Sequence, residues 1–507
     1  MFQRARVLSA AVRGIDADLV YVEVHLGPGL PGTSILGLPD TAVRESRDRV
    51  KAAILSSGFD YPRAKILVNL APAHTRKEGP WFDLPIAIAV LQAARMLPEV
   101  DLASTLLVGE LALDGGVRPT RGALAIALAA RRKGLRRVLL APPAAPRAAL
   151  VEGVDAVPVA DLGAVVKALS RAPDAPAALS RAEALAQQPE PDGDEPTLED
   201  VVGQSSAKRA LVIAAAGGHN LLFTGPPGAG KSMLARRMPG ILEPPAEEEA
   251  VEITRIADAL RVDDTGLVRR RPFRAPHHTT SRAGLVGGGS DLRPGEATLA
   301  HLGVLFLDEL PEFARDALEA LRQPIEDGRV ALARAAGSLS FPARFQLVAA
   351  MNPCPCGWRG HPSRPCTCLP RDLARYRARL SGPLLDRIDL SIAVAPVAVA
   401  DLSARRGDLT TAIARTTVMR ARARQRARGP RENARLASHE LERLCPLDAP
   451  ARALLDRATE RLSLSMRARV RCVRVARTIA DVDGAPSIAP AHVAEALALR
   501  WPGGPGA

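Results

Sequence analysis

A chain of 507 residues is longer than one ordinary hydrophobic core sustains, so about three domains are expected. Hydrophobic residues make up 47% and aromatics only 3%, which supports real cores filled mainly with Ala, Leu and Val. A net charge of +13 suits a polyanionic partner or an arginine-biased composition, and no run of about 18 apolar residues offers a membrane span.

Met1-Phe2-Gln3-Arg4-Ala5-Arg6 leads into no signal-peptide core. Six cysteines in so long a chain are no disulfide scaffold, and a cytoplasmic location is expected. Residues 1–170 alternate short strand-like runs (Val20–Val24, Ile66–Asn69, Val138–Ala141) with helical ones such as Ala123–Arg132, the pattern of an α/β or α+β domain. Residues 171–196 are rich in Ala, Pro, Asp and Glu and end in Pro189-Glu190-Pro191-Asp192-Gly193-Asp194-Glu195-Pro196, which is linker composition. A nucleotide-binding domain is expected over 197–400. The remainder, 401–507, is helical in pattern, with apolar residues spaced three and four apart in Leu436–Leu444, Ala449–Ser463 and Arg467–Asp481.

Within 197–400, Leu221-Leu222-Phe223 reads as a buried strand, followed by Gly225-Pro226-Pro227-Gly228-Ala229-Gly230-Lys231-Ser232 and then a helical start at Met233. Strand, glycine loop and helix in that order form a phosphate cradle: glycines free the backbone N–H groups, and the helix N-terminus adds a favourable dipole. Lys231 is expected to reach the β- and γ-phosphates of a nucleoside triphosphate, and Ser232 to hold Mg2+. Val304-Leu305-Phe306-Leu307 then forms a strand that delivers Asp308 and Glu309 to its carboxyl end. Asp308 is expected to bind Mg2+ through water, and Glu309 to orient and deprotonate the attacking water. Strand-like Phe345–Ala350 leads to Asn352, which either touches the γ-phosphate or is a turn residue before Pro353.

Between the two motifs, Arg271-Pro272-Phe273-Arg274-Ala275-Pro276-His277-His278 and Gly287-Gly288-Gly289, with Arg282 and Arg293, suggest a mobile basic loop. The paired histidines lack a carboxylate or cysteine at metal-ligand spacing. Val330–Arg334 and Ser338–Phe341 read as a hairpin turning at Ala335-Ala336-Gly337, flanked by Arg329 and Arg344 and able to project into a pore. Cys354, Cys356, Cys366 and Cys368 fall within 15 residues; a tetrahedral Zn2+ site, free thiols and redox chemistry are the three readings. Arg387, in Ser381–Asp389, either reaches a neighbouring subunit's nucleotide as an arginine finger or pairs with Asp386 or Asp389. Arg467 opens a helix and is a second candidate phosphate sensor, in company with Arg469, Arg471 and Arg474. Arginines 415, 420, 422, 424, 426, 428, 431 and 435, against the single acid Glu432, form either a solvated face or a phosphate-contacting one.

The ordered set of motifs resembles the ComM/YifB-type magnesium-chelatase-like AAA+ ATPases over nearly the whole chain. It rests on Ile35–Pro39 through Arg44–Val50, Val68–Ala73, Phe82–Ala87, Phe273–His278, Phe306–Leu310, Met351–Gly357, Ser381–Leu390 and Val475–Asp481. The resemblance implies an α/β chain: an N-terminal Lon-protease-like (ribosomal S5 domain 2-like) domain, a linker, an AAA+ P-loop domain and a C-terminal helical lid. It further implies a homo-hexamer with ATP and Mg2+ at subunit interfaces, Arg387 acting in trans, and Asn352 and Arg467 as sensors. Family members are implicated in moving branched DNA, without sequence preference, during homologous recombination and natural transformation. A protein-remodelling ATPase is the second reading and a chelatase motor subunit the third; the latter predicts an integrin-like metal site, and no Asp-X-Ser-X-Ser stretch occurs. Gly109-Glu110-Leu111, Val117-Arg118-Pro119 and Gly134–Pro142 resemble the Lon proteolytic domain. The place of its nucleophilic Ser reads Gly79-Pro80-Trp81 and that of its Lys holds Leu124, so peptidase activity is not expected.

Overall fold

The computed structural model describes residues 3–38, 40–72, 77, 79–98, 100, 102–186, 196–260, 266–289, 292–334, 337–396, 409–429 and 431–500. Ala73, residues 187–195 of the expected linker, the hairpin turn at Ala335-Ala336 and the 400/401 boundary lie outside these residues. Two compact units emerge. One comprises Met1–Pro191 with Glu247–Val268, the other Asp192–Ala246 with Arg269–Ala507. The described part of 171–196 departs from linker character: Arg181–Ala186 is a helix whose Ala184 is buried in the first unit's core.

The first unit is built on a seven-stranded mixed sheet in the order β3-β4-β2-β1-β5-β6-β7. Its strands are β1 (Gln3–Arg13), β2 (Asp16–Gly27), β3 (Gly32–Leu36), β4 (Lys65–Ala71), β5 (Thr105–Leu107), β6 (Arg137–Leu140) and β7 (Asp155–Pro158). β1 and β2 pair antiparallel along their full length, from Gln3 opposite Leu26 to Arg13 opposite Asp16. Alternate residues of β2 and β4 are buried, so one face of each strand meets the core and the other does not. The helices α1 (Thr41–Ser56), α2 (Asp83–Ala93) and α3 (Ala123–Arg132) cover the sheet. α2 is buried almost all round, as its unbroken apolar sequence requires. Asp83 at its start is fully buried and pairs with Arg49 at 2.8 Å.

The helix Glu247–Leu260 belongs to this unit although its sequence interrupts the P-loop region expected over 197–400. Its apolar stripe carries Ala250, Ile253 and Ile256, all buried. Asp258 on the same helix is buried and accepts the N–H of Leu124 at 2.9 Å and a guanidinium N–H of Arg147 at 2.6 Å. α3 begins at Gly122, which has no side chain to cap the helix, so Asp258 satisfies one of its free N–H groups from elsewhere in the chain. Leu124, expected at the place of the Lon lysine, gives its backbone N–H to this cap.

The second unit is a five-stranded, all-parallel sheet in the order β9-β10-β13-β8-β14. These strands are β8 (Leu221–Thr224), β9 (Phe273–Arg274), β10 (Val304–Leu307), β13 (Gln346–Met351) and β14 (Leu390–Ala393). A hairpin of β11 (Arg329–Arg334) and β12 (Gly337–Pro342) stands apart, in the register Val330 opposite Phe341 and Leu332 opposite Leu339. Both faces of the sheet are covered. Leu221, Phe223, Val304, Phe306 and Val348 join one core, while Leu222, Leu305, Leu307 and Leu347 join another. This double burial is why the strands read as continuous apolar runs.

The first of these cores is closed by α4 (Ser205–Gly217) and by C-terminal helices that include α6 (Thr411–Arg428) and α7 (Met466–Asp483). Arg469 and Arg474 on α7 bond to Thr459 and to the Leu436 carbonyl, while Arg477, fully buried, pairs with Asp481 at 2.9 Å. The helix expected over Leu436–Leu444 is instead broken into short turns, Ser438–Glu440 and Leu441–Leu444. The Glu440 side chain turns back to take the Ala437 N–H at 2.6 Å, capping a new start inside the apolar pattern.

Asp258→Ala removes both a helix cap and a largely buried ion pair. It is expected to destabilise the first unit by about 2–4 kcal/mol, read as a lowered unfolding midpoint of the full chain.

Candidate functional site

The site lies at the carboxyl ends of β8, β10 and β13, where open parallel sheets bind ligands. After β8 the chain turns through Gly225-Pro226-Pro227-Gly228-Ala229-Gly230 into the helix α5 (Lys231–Ala235). Gly228 and Gly230 have φ of 77° and 89°, which L side chains rarely adopt, and nothing lies within 4 Å of where their Cβ atoms would be. The concavity is thus open for a ligand and its backbone is set by glycine.

Lys231 is buried, with 8% relative exposure. Its Nζ donates to the carbonyls of Gly225 at 2.7 Å and Pro226 at 2.9 Å, and to Asn352 Oδ1 at 3.1 Å. Burial holds the ammonium below the usual lysine value, against the opposing pull of Asp308 and Glu309. Ser232 Oγ donates to Asp308 Oδ2 at 2.6 Å. A hydroxyl and a carboxylate in contact at the glycine loop are hard oxygen ligands of the kind Mg2+ takes.

Glu309 follows Asp308 with φ 51°, a left-handed conformation costing a non-glycine residue roughly 1–3 kcal/mol. Its N–H bonds Asp308 Oδ1 at 2.9 Å, so the two acids are locked back to back while the Glu309 carboxylate stays more than half exposed. His278 Nδ1 lies 3.3 Å from that carboxylate. Residue spacing gave no sign of this contact, because it joins neighbouring strands 31 positions apart in the chain.

The four cysteines follow Asn352 directly. Their sulfurs all lie within 4.8 Å of one another, with Cys354 3.4 Å from Cys356 and 3.7 Å from Cys366, and Cys356 3.6 Å from Cys366. A tetrahedron of thiolates around Zn2+, with bonds of about 2.3 Å, has edges of about 3.8 Å. The cysteines are free, not disulfide-bonded. Backbone N–H groups of Cys356 and Arg359 point at Cys368 and Cys354 sulfurs, each at 3.4 Å. N–H groups of Trp358 and Thr367 draw Cys356 down to about 6. Cys368, although helped by the Cys356 N–H, is pushed up to about 12 by burial and the adjoining thiols. Four sulfurs this close ionise together only around a cation, so the donor set fits Zn2+. The cluster also backs onto the glycine loop: a Cβ on Gly357 would meet Pro227 Cδ at 2.6 Å.

Other expected residues are less directly engaged. Arg387 pairs with Glu326, not with Asp386 or Asp389, and donates to the Pro383 carbonyl at 2.5 Å. Asp389 instead takes the Asn220 N–H at 3.1 Å and faces Arg471 at 3.8 Å. Arg467 lies exposed in the first turn of α7, with no hydrogen bond or ion pair among the described residues tying it to the glycine loop.

Most of the arginine run is consumed within the chain. Arg415 bonds the Gly240 carbonyl, Arg422 that of Ala215, and Arg424 that of Asp481. Arg426 pairs with Glu243, Arg428 with Asp481 and Arg435 with Glu432. Arg420 and Arg431 alone of the eight are exposed with no hydrogen bond or ion pair among the described residues, and Arg431 acts electrostatically on Glu440. The basic loop is also more ordered than expected. Ser281 caps a helical turn, Arg282–Val286, whose Leu285 and Val286 are buried, and Gly287-Gly288 pairs with Arg293-Pro294.

Models of the magnesium chelatase subunit ChlI match residues 197–402, with separate ChlI models matching 22–144 and, for its C-terminal part, 408–500. YifB of Salmonella typhimurium is 43% identical over 500 residues, 98% of this chain and 97% of the relative. Competence protein ComM of Haemophilus influenzae is 44% identical over 502 residues, again 98% and 97%. Lon protease 2 of Bacillus subtilis is 30% identical over 166 residues, 31% of this chain and 29% of its own. A glycine-loop parallel sheet with two acids on the adjoining strand and ChlI models along most of the chain define a magnesium-chelatase-like AAA+ protein. Identity over nearly full length places the chain in the ComM/YifB-type branch of that family.

Gly357→Ala forces either the cysteine loop or Pro227 to move. Affinity for a nucleoside triphosphate is expected to fall about tenfold, measured by titration of a fluorescent analogue.

Proposed function

We propose that the chain is an ATP-hydrolysing motor that works as a homo-hexameric ring and moves branched DNA, without sequence preference, during homologous recombination and natural transformation. The convergence of Lys231, Ser232, Asp308, Glu309 and Asn352 at one end of the sheet carries the hydrolytic part of this reading. The DNA part is supported by the competence name of a relative 44% identical over nearly the full length, and by the net charge of +13. In architecture, we read residues 1–170, joined by the helix Arg181–Ala186 and by 247–268, as a Lon-like scaffold without its Ser/Lys pair, the rest of 197–400 as the AAA+ domain and 401–507 as the lid.

Several polar groups of the site engage one another, and triphosphate binding would exchange those contacts. Lys231 leaves two carbonyls and turns its ammonium to the β- and γ-phosphates, recovering in charge-assisted bonds what burial cost it. Glycine-loop N–H groups and the start of α5 take the remaining phosphate charge. Ser232 and Asp308 would hold Mg2+, which would supply neutralisation of the phosphate charge. Glu309 accepts the proton of the attacking water, and Asn352 orients that water against the γ-phosphate. Arg387 exchanges Glu326 for the γ-phosphate on a neighbouring subunit, so hydrolysis depends on ring closure. Cys354, Cys356, Cys366 and Cys368 would hold Zn2+, which would supply a redox-inert cross-link behind Pro227. Arg467 serves as a lid sensor once a nucleotide draws α7 inward.

The chelatase name of the family models favours, as a second reading, a motor that drives a partner enzyme. The two separate on one experiment: ATP-dependent movement of a three-stranded or four-way DNA junction by wild type but not by Glu309→Gln. No movement, together with ATPase indifferent to DNA, sinks the DNA motor and leaves protein remodelling or partner driving.

Glu309→Gln is expected to cut kcat by roughly 10²-fold or more while KM changes little, since only the proton acceptor is lost. Metal analysis of the purified chain is expected to find one zinc per chain. Replacing Cys354 and Cys366 by Ser removes it and lowers the melting temperature; an unchanged melting curve would count against a structural metal.

A further inference from the structure

From Gly328 to Arg371 the chain holds six arginines and no aspartate or glutamate. Two of the six, Arg359 and Arg364, fall between the cysteine pairs. Both are exposed, and neither guanidinium has a hydrogen bond or ion pair among the described residues. The arginines of α6 are mostly taken up by carbonyls and acids, whereas nothing in the cysteine loop balances this charge.

The loop that carries them is built to hold one shape. The cysteine cluster brings the Cys356 and Cys366 sulfurs to 3.6 Å and so closes the nine residues between them. Gly357 and Gly360 turn the backbone with φ of 83° and 79°, and the Gly357 N–H bonds the Cys354 carbonyl at 3.0 Å. The His361 N–H bonds the Trp358 carbonyl at 3.0 Å, while His361 Nδ1 accepts the N–H groups of Ser363 and Arg364, each at 3.1 Å. With Nδ1 an acceptor, the ring proton sits on Nε2. Pro362 and Pro365 fix φ at two further positions. On this frame the Arg364 guanidinium lies over the Trp358 ring, 4.4 Å from its centroid, and the His361 ring meets the same indole at 5.2 Å and 90°. Trp358 is only half-buried, so it serves no core. Gly357, immediately before it, packs against Pro227, which anchors the loop beside the glycine loop.

An aromatic face with flat cations around it matches a chain in which π faces alternate with anions. Single-stranded DNA has that alternation, and an acidic peptide does not. We propose that the loop Trp358–Arg364 is a contact site for single-stranded DNA, in which a base stacks on Trp358 while Arg359 and Arg364 neutralise flanking phosphates and His361 Nε2 donates to a phosphate oxygen. The proposal rests on the DNA-motor reading and adds a surface to it. None of these groups reads a base edge, so contact here is indifferent to sequence.

The test is binding of a labelled, mixed-sequence single-stranded oligonucleotide by the full chain, with Mg2+ and a non-hydrolysable ATP analogue, followed by fluorescence anisotropy over a range of salt concentrations. Replacing Arg359 and Arg364 together by Ala is expected to make the slope of log K against log salt shallower by about 1.4, since each phosphate contact on a single strand accounts for about 0.7. That pair leaves the sulfurs and their backbone donors in place, so zinc content and melting temperature stay at wild-type values. Trp358→Leu weakens binding about tenfold, and Trp358→Phe, which keeps a stacking face, restores most of it. DNA quenches the tryptophan emission of wild type, and most of that quenching disappears in Trp358→Phe. An unchanged salt slope in the arginine pair, with unchanged affinity in Trp358→Leu, overturns the proposal. So does a loss of binding that merely follows a loss of assembly in sedimentation, which would assign the loop to contact with a second copy of the chain. Wild type that binds no single-stranded DNA overturns the DNA reading and this inference with it; wild type that binds while the variants match it overturns this inference alone.

Discussion

An ammonium group taken out of water organises the glycine loop. Lys231 is almost fully buried, and an unpaired cation there would cost several kcal/mol. Two loop carbonyls and Asn352 offset that cost, so the loop has to fold back on itself and β13 has to lie beside β8. β14 must flank β8 on the other side, and so closely that a Cβ on Gly225 would meet the Val394 carbonyl oxygen at 2.2 Å. The double-faced core beneath keeps these three strand ends in register. The loop carbonyls and Asn352 are thus gathered around one buried amine.

Charge in this protein is spent in two ways that composition does not distinguish. On α6 most guanidiniums bind carbonyls or carboxylates of the same chain, where they keep their charge but not their freedom to follow a phosphate backbone. Asp481, fully buried, gathers Arg428, Arg477 and Asn433 and so ties α6 to α7. Arginine here is first a structural residue that fixes the C-terminal helices on the sheet. Among the described residues, Arg282 and Arg420 remain exposed with no hydrogen bond or ion pair.

What could be read in the sequence was local. Ala123–Arg132 is a helix to the residue, β8 and α5 bracket the glycine loop, and the hairpin pairs where its alternation indicated. Such features depend on side chains a few positions apart. The helix Glu247–Leu260 was hidden for the opposite reason: its apolar stripe has the same period whichever core receives it, so position in the chain suggested the wrong unit. β9 contributes only Phe273-Arg274 to the sheet, too short for any alternation, and with it the approach of His278 to Glu309 stayed out of view. Arg387 was read as an arginine finger or, failing that, as a partner of Asp386 or Asp389, whereas within the chain its partner Glu326 comes from a helix 61 residues earlier. Pairings across the sheet edge follow from strand order, which no local pattern encodes.

The passage of Glu247–Val268 into the first unit means that the backbone crosses between the units three times, after residues 191, 246 and 268. A single crossing can be cut; three make a weave. A shortened chain beginning near residue 197 would retain the glycine loop and both acids, yet would carry Ala250, Ile253 and Ile256 with no core to enter and Asp258 with no helix to cap. The glycine-loop unit and the first unit therefore share one continuous stretch of chain, and recombination between gene segments would have to exchange them together.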